Sequence, residues 1–372
     1  MAGQKDRLFL AMTNFSLPIQ GHFFQGIFFR RSFRWIWLAL FCLFLSTATG
    51  EAFARDIKDM TGRTVSVPEQ PARIFSLSYP LTVLLYALAP DLLVASNFPI
   101  AEPAKPFLPQ QVTALPAIGA MMGMGPGHTM NPEEIMALHP DLLLAWVDPM
   151  GDTEKVVHPV AGSGLPIVYV KLTNLGDYPS ALRFLGRLLG RTKRAEALAT
   201  YIEFAQIQVS AAVESVPYKE RVKVFYAEGH DGLSTECDAS FHAESINFAG
   251  GRNVRHCRQT TLMGMETVTL EQIIADQPEI IVAQDPGFAK TVASDPAWKQ
   301  VKGSQHVLSV PHLPFNWLDR PPSFMRALAI RWLAANFYPD RFSFDLRAEL
   351  KTFHSLFFGV SLSDKDVDTI LH

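Results

Sequence analysis

The chain contains one short unit twice, and this duplication constrains the fold more than any other feature. The stretch "MNPEEIMALHPDLLLAW" covers residues 130–146, and "VTLEQIIADQPEIIVAQ" covers residues 268–284. Aligned without a gap, both have a glutamate, an isoleucine, an alanine and a proline at matching positions, and then an acid and an apolar run. This is the pattern of a capped helix that leads into a buried strand. Two copies predict two similar α/β lobes.

Each of the two predicted helices has polar residues that cap its start and one glutamate that the cap does not use. The predicted cap residues are Asn131 and Glu134 in the first helix and Thr269 and Gln272 in the second. Glu133 and Glu271 are not needed for either cap, and both fall at the second helical position. Each predicted lobe therefore presents one outward carboxylate at the same place.

The remaining sequence alternates between short apolar segments and helical patterns, which predicts parallel sheets covered by helices. Between the two alternating regions, apolar residues recur mostly at three- and four-residue steps, and no proline lies between Ser180 and Val216. One long amphipathic helix is the interpretation of this region. The predicted divisions are a signal peptide (1–54), an N-terminal lobe (55–175), a linking helix (176–216), a C-terminal lobe (217–340) and a helical tail (341–372).

The first 54 residues have the features of an export signal. Arginines at positions 30, 31 and 34 precede the apolar run Trp35–Leu45, and Ala52-Phe53-Ala54 has the small-x-small pattern of a signal peptidase site. We expect cleavage before Arg55 and a periplasmic protein. A retained membrane anchor is the alternative, but the apolar run is well short of the ~20 residues that span a bilayer.

Cleavage would change both the charge and the cysteine content. It would remove five of the 33 basic and two of the 36 acidic residues, leaving a net charge of −6. Such a chain has no general attraction to nucleic acid or anionic lipid. The remaining cysteines, Cys237 and Cys257, are predicted to form a disulfide in an oxidising compartment. A metal site is the competing interpretation, although the two cysteines lack C-x-x-C spacing.

Five stretches come in the order and approximate spacing of a known family. They are "ARIFSLSYPLTVLLYALAPDLLVAS", the two duplicated units, "HAESINFAGGRNV" and "PFNWLDRPPSFMRAL". Over residues 56–338 the chain resembles periplasmic substrate-binding proteins of the iron-complex and cobalamin class. The resemblance implies two Rossmann-like lobes joined by one rigid helix, with a ligand held in the cleft between them. It also implies delivery of a metal chelate to an ABC permease and its ATPase in the inner membrane.

Ligand-binding residues are expected where strand ends of the two lobes face each other. Met124 and Met265 belong to matching Met-Gly-Met loops, and methionine suits an irregular apolar ligand surface; packing in the core is the alternative. Cobalamin-binding members of the family have an aromatic residue in each loop, which argues against cobalamin here. Tyr79 and Tyr226 are candidates to contact a chelate or its iron.

The resemblance assigns further positions to ligand contact. Trp146 matches a tryptophan that stacks on the ligand in cobalamin-binding relatives, with a buried core role as the alternative. Asn316, Trp317 and Arg320 match contact positions in a cleft loop. Arg320 suits bidentate bonds to chelate oxygens, or a salt bridge within the protein. No histidine spacing indicates a preformed metal site, so we expect the metal to be held by its chelator.

The expected function is therefore binding without catalysis and without a resident cofactor. A ferric siderophore is the first choice of ligand, followed by haem or a corrinoid, and then a nickel or cobalt chelate. The alternative classes are a ligand sensor and a hydrolase, but the sequence contains no G-x-S-x-G nucleophile motif. We expect a monomer that docks onto the permease through Glu133 and Glu271.

Overall fold

The structure is a computed structural model that describes residues 54–119, 131–147, 149–151, 153–259 and 264–371. All but the last residue of the predicted signal peptide lies outside the described residues, and so does Met124. None of the described helices is long and apolar enough to span a lipid bilayer.

The N-terminal lobe is built on a three-stranded parallel sheet. The sheet has the order β3-β4-β5, and an antiparallel hairpin, β1-β2, precedes it. The strands are β1 (Ala54–Lys58), β2 (Thr64–Pro68), β3 (Ile74–Ser76), β4 (Leu142–Trp146) and β5 (Ile167–Val170). The helices are α1 (Tyr79–Leu88), α2 (Gln110–Thr113), α3 (Pro132–Ala137) and α4 (Thr153–Ala161). Every residue of β4 is buried, as expected for a parallel strand with both faces covered.

The linking region contains two helices, so the prediction of one helix over residues 176–216 is wrong. They are α5 (Asp177–Leu188) and α6 (Thr192–Val213). Gly190 separates them with a φ of +67°, a left-handed conformation that glycine adopts at low cost. The second helix, α6, runs between the lobes: Arg194 near its start donates to the Ala87 carbonyl of α1, and Val213 at its end lies against Gly250.

The C-terminal lobe repeats the architecture with a four-stranded parallel sheet of order β11-β10-β6-β8. A short antiparallel pair, β7-β9, lies beside it. The strands are β6 (Lys223–Ala227), β7 (Ser234–Thr235), β8 (Arg252–Asn253), β9 (Glu266–Thr267), β10 (Ile280–Ala283) and β11 (Val307–Ser309). The helices are α7 (Glu244–Phe248), α8 (Leu270–Asp276), α9 (Pro286–Thr291) and α10 (Arg326–Phe337). The predicted fold class, two α/β lobes with parallel sheets, is confirmed.

The two duplicated units form the predicted helix and strand pairs, α3-β4 and α8-β10. Thr269 and Gln272 make the reciprocal capping box, with bonds of 3.3 and 2.9 Å. Asn131 caps the first helix by accepting from the Glu133 amide at 2.9 Å, whereas Glu134 makes no reciprocal bond. The cap residues other than Glu134 are confirmed.

A disulfide joins Cys237 and Cys257, the predicted pair, with Cα atoms 5.0 Å apart. The bridge closes a loop that contains α7. In the chain-entropy model a loop of this length contributes about 3 kcal/mol by restricting the unfolded chain.

The chain ends in two helices, α11 (Leu346–Phe358) and α12 (Asp364–Leu371), which pack against each other. On α11, Phe357 stacks on Phe324 of the C-terminal lobe with ring centroids 4.8 Å apart. The preceding turn places the ring of His354 against Phe107 of the N-terminal lobe, with centroids 6.4 Å apart. The tail therefore contacts both lobes.

Candidate ligand-binding site

A cavity of about 610 Å³ lies between the two lobes. Its lining comes from the start of α1 and the chain after it in the N-terminal lobe, and from loops after β6, β10 and β11 in the C-terminal lobe. The described lining residues are Tyr79, Phe98, Pro99, Ile100, Ala101, Ala104, Gly229, Gln284, Asp285, Pro286, His312, Pro314, Phe315, Asn316, Arg320 and Pro321. The position agrees with the rule that ligands bind at the carboxyl ends of parallel strands.

The N-terminal wall of this cavity is aromatic. The rings of Tyr79 and Phe98 stack in parallel, with centroids 4.6 Å apart. Phe315 reaches across from the other lobe and meets Phe98 edge-on at 6.1 Å. Burial raises the pKa of the Tyr79 hydroxyl, so this wall stays uncharged at neutral pH. Such a surface suits an apolar or weakly polar ligand face.

The C-terminal wall centres on the guanidinium of Arg320, whose side chain is 12% exposed. Its Nε and Nη2 donate to the two carboxylate oxygens of Glu228 at 2.8 and 3.2 Å, and Nη2 also donates to Glu236 at 2.6 Å. Both glutamate side chains are completely buried. Arg320 has a φ of +60°, a conformation that costs a residue other than glycine about 1–3 kcal/mol. The ion pairs hold the arginine in place despite this cost.

The ionisation of this wall depends on both burial and the arginine. Burial raises the pKa of Glu236 to about 7, although the nearby positive charges of His242 and Arg320 oppose the rise. Burial also raises the pKa of Glu228. Burial alone would lower the pKa of Arg320, but the hydrogen bond and charge of Glu228 raise it above its ordinary value. The arginine therefore stays charged, while Glu236 can change its charge near neutral pH.

A second ion pair lies beneath this wall and extends toward the other lobe. His242 Nδ1 lies 2.6 Å from a carboxylate oxygen of Asp319. Burial alone would raise the pKa of Asp319, but the hydrogen bond and the charge of His242 hold this pKa below its ordinary value. Arg326, also completely buried, lies 3.6 Å from Asp319 and donates to the Thr173 carbonyl before α5 at 3.3 Å. The charged network thus reaches from the cleft wall to the junction of the lobes.

These observations can be compared with known proteins. A model of the periplasmic binding protein family matches residues 76–306, more than half of the chain. The chain belongs to this family. The predicted resemblance is therefore confirmed, and the cleft described above is the place where a periplasmic binding protein is expected to hold its ligand.

Individual relatives agree with this assignment. The vitamin B12-binding protein of Pectobacterium atrosepticum is 26% identical over 254 residues, which are 67% of this chain and 83% of that protein. A solved ABC transporter solute binding protein from Sulfurospirillum deleyianum is 37% identical with a TM-score of 0.79, covering 85% of this chain and 98% of its own. A periplasmic solute binding protein from Veillonella parvula is 24% identical with a TM-score of 0.69, covering 86% and 97%, and shows the fold alone. These relatives support a solute-binding role rather than an enzymatic one.

Three predicted ligand residues, Tyr79, Asn316 and Arg320, line the cavity of this periplasmic binding protein. Met265 is 43% exposed but is not among the described lining residues. Trp146 is only 5% exposed and lies edge-on to Phe241 at 6.2 Å. Ligand contact by these residues and by Met124 remains a prediction.

Two of the predicted ligand residues require correction, because Tyr226 and Trp317 are completely buried. Tyr226 lies on the inner strand β6, whose last four residues are all buried. Trp317 packs edge-on to Trp332 at 6.3 Å and donates its indole N–H to the Leu313 carbonyl at 3.3 Å. Neither side chain can touch a ligand in this conformation.

Sequence reasoning missed Phe98, Phe315, Glu228 and Glu236. Glu228 had a recognisable signal, since it is an acid placed directly after a buried parallel strand. Phe98 follows the predicted strand "LLVAS" by two residues, which also places it at a sheet edge. Glu236 had no local signal, because its partner Arg320 is 84 residues away in the sequence.

The described residues contain two groups with metal-ligating atoms close together. One consists of Cys237, Cys257 and Glu266, but the two cysteines are joined in the disulfide. The other consists of Glu236, His242 and Asp319, whose ligand atoms lie within 4.8 Å of one another. Arg320 contacts Glu236, and Arg326 lies 3.6 Å from Asp319. Both positive charges oppose the binding of a cation to this group.

Proposed function

We propose that this protein captures a metal chelate of low net charge, such as a neutral ferric siderophore, and delivers it to an ABC permease. The observation that carries the proposal is the state of Arg320, which is the one arginine or lysine among the described lining residues. Two buried carboxylates already neutralise its charge. The cleft therefore offers little attraction to a polyanionic ligand.

The rest of the cleft supports the same ligand class. Asp285 adds a carboxylate, and the hydrogen bond from the Phe288 amide holds its pKa below the ordinary value. The segments 120–130 and 260–263, whose placement is not described, contain no arginine or lysine. A triply anionic ferric catecholate would need cationic partners, whereas a neutral hydroxamate complex would not.

A corrinoid is the second candidate, because the chain is similar to a vitamin B12-binding protein. The aromatic pair Tyr79 and Phe98 could stack on a planar macrocycle. Haem is a weaker candidate on the same charge argument, since its two propionates also need cationic partners.

The test is a binding comparison with the mature protein purified from the periplasm. The probes are a neutral Fe(III) trihydroxamate complex, a triply anionic Fe(III) tricatecholate complex, cyanocobalamin, haemin and Ni(II)-histidine, each titrated by calorimetry and tryptophan fluorescence. We expect the neutral siderophore or cyanocobalamin to bind at least about tenfold more tightly than the tricatecholate, a difference of about 1.4 kcal/mol. Tighter binding of the tricatecholate or haemin would contradict the proposal.

A further inference from the structure

We propose that Glu228 and Glu236 are specificity-determining residues: they occupy the Nε and Nη2 donors of Arg320, offset its charge and so exclude polyanionic chelates from the cleft. This inference rests on the proposed function, because it concerns which chelates the same cleft accepts. It assigns a role to two buried residues that do not line the cavity themselves.

The first step is the geometry of the three charged groups. Glu228 binds Arg320 in a bidentate manner, through Nε at 2.8 Å and Nη2 at 3.2 Å. Glu236 takes a further bond from Nη2 at 2.6 Å. An arginine commonly binds an anionic group through two parallel N–H···O bonds from one edge of the guanidinium, and Nε and Nη2 form one such edge. In this protein the buried glutamates hold that edge.

The second step is that Glu236 is fixed from other sides as well. The Ser240 hydroxyl donates to its Oε2 at 2.9 Å. Gly264, at φ +68°, lies so close that a Cβ at this position would overlap Oε2. A side chain at residue 264 would displace the carboxylate, so this tight approach requires glycine. Glu236 cannot turn away from Arg320 without a movement of its surroundings.

The third step is the charge balance of the network. Glu228, Glu236, Asp319 and Glu244 face Arg320, Arg326 and His242. Four carboxylates thus meet two guanidinium groups and one imidazole, which leaves no surplus positive charge to attract an anion. Asp319 also lies 3.8 Å from Arg320, so removal of one glutamate charge would not strip the arginine of partners but would make the potential at the cleft surface more positive.

The experiment replaces each glutamate with its isosteric amide. Glu228→Gln and Glu236→Gln keep an oxygen that accepts from Arg320 but remove the negative charge. At about pH 9, where Glu236 of the wild type is ionised, we expect each variant to bind the Fe(III) tricatecholate complex about tenfold more tightly than the wild type, with less than about a threefold change for the neutral Fe(III) trihydroxamate complex. Glu236→Asp keeps the charge and should retain the selectivity of the wild type.

Two controls separate a local effect from a general one. Glu214→Gln makes the same change in net charge at an exposed position at the end of α6, and it should not alter the ratio of the two affinities. Adding Arg320→Gln to Glu236→Gln should abolish the gain, because the arginine is the group that would bind the anion. Melting temperatures establish that each variant is folded, and the two single variants test the idea independently.

The inference would be overturned if both single variants fold but keep the wild-type ratio of tricatecholate to trihydroxamate affinity. It would also be overturned if Glu214→Gln gained the same tricatecholate affinity, or if the gain persisted in the variant that lacks Arg320. The proposed function is judged separately, by the wild-type protein. If the wild type binds no neutral chelate but the amide variants gain the tricatecholate, the role of the glutamates stands and the proposed ligand class fails.

Discussion

The two lobes repeat one helix-to-strand unit, but they present different chemistry to the cleft. In the N-terminal lobe the wall is the stacked pair Tyr79 and Phe98. In the C-terminal lobe it is Arg320, held by two buried carboxylates. The repeated unit supplies the scaffold, whereas the ligand-facing residues come from the loops around it. Similarity between the lobes therefore predicts the position of the cleft but not the chemistry of its walls.

The largest difference between the walls should appear in stability. Arg320→Ala removes the partner of two buried carboxylates and should lower the free energy of unfolding by about 3–5 kcal/mol. Tyr79→Ala on the opposite wall removes one partly exposed ring and should cost about 1 kcal/mol. Urea unfolding of the two variants measures both values. Equal losses of unfolding free energy in the two variants would contradict the predicted difference in stability between the two walls.

In contrast to the cleft walls, the two lobes should contribute in the same way to docking onto the permease. Glu133 and Glu271 are both exposed near the starts of α3 and α8. We predict that Glu133→Ala combined with Glu271→Ala slows association with the reconstituted permease by about tenfold, because rim charges steer a partner. Chelate affinity should not change.

Glu134→Ala combined with Glu214→Ala is the matched control for this docking prediction, since it removes two other exposed carboxylates. The single variants show whether the lobes contribute equally. Normal association of the Glu133 and Glu271 double variant would exclude the docking role.

Only the C-terminal wall should respond to pH near neutrality. Glu236, with a pKa of about 7, faces Glu228, Arg320, His242 and Asp319. As the pH falls from 8 to 6, its protonation should strengthen binding of the Fe(III) tricatecholate complex by about fivefold. Titrations at several pH values test this, and Glu236→Gln should show no such dependence.

The same group affects stability with a defined sign. The folded-state pKa of Glu236 lies above its ordinary value of 4.5. Between pH 4.5 and 7 the folded state therefore binds more protons than the unfolded state, and the contribution of Glu236 to stability increases as the pH falls through this window. The difference between wild type and Glu236→Gln across the window isolates this contribution.

The smallest expected effect concerns the aromatic wall. Tyr79→Leu removes the ring that stacks on Phe98 and should weaken binding of the neutral chelate by about fivefold, or about 1 kcal/mol. Tyr79→Phe keeps the ring and should bind almost normally. Equal affinities of the two variants would show that the ring does not contribute to binding.

The sequence allowed prediction of features encoded locally. The caps at Asn131 and Thr269, the two parallel sheets and the disulfide pair each follow from neighbouring residues or from composition. The break at Gly190 was missed although the sequence carries a signal for it: no apolar residue lies between Leu189 and Ala195, and glycine commonly ends a helix in the left-handed conformation seen here.

The site was less predictable because its contacts join distant parts of the chain. Arg320 was identified as a candidate, but its partners Glu228 and Glu236 lie 92 and 84 residues away. The burial of Tyr226 and Trp317 depends on which elements cover them, and a local pattern does not specify that. The position of a residue at the end of a strand thus predicted that it lies near the cleft. Tertiary packing determines whether its side chain reaches the cleft surface.

The helix α11 has a consequence for how the molecule unfolds. It contacts Phe324 in one lobe and Phe107 in the other, and its Phe357 carbonyl accepts a bond from Arg194 of α6 at 3.1 Å. Melting of one lobe would expose the apolar face of this helix and weaken its support of the other. The lobes are therefore coupled energetically, and the heat capacity of the protein on warming should show one cooperative peak.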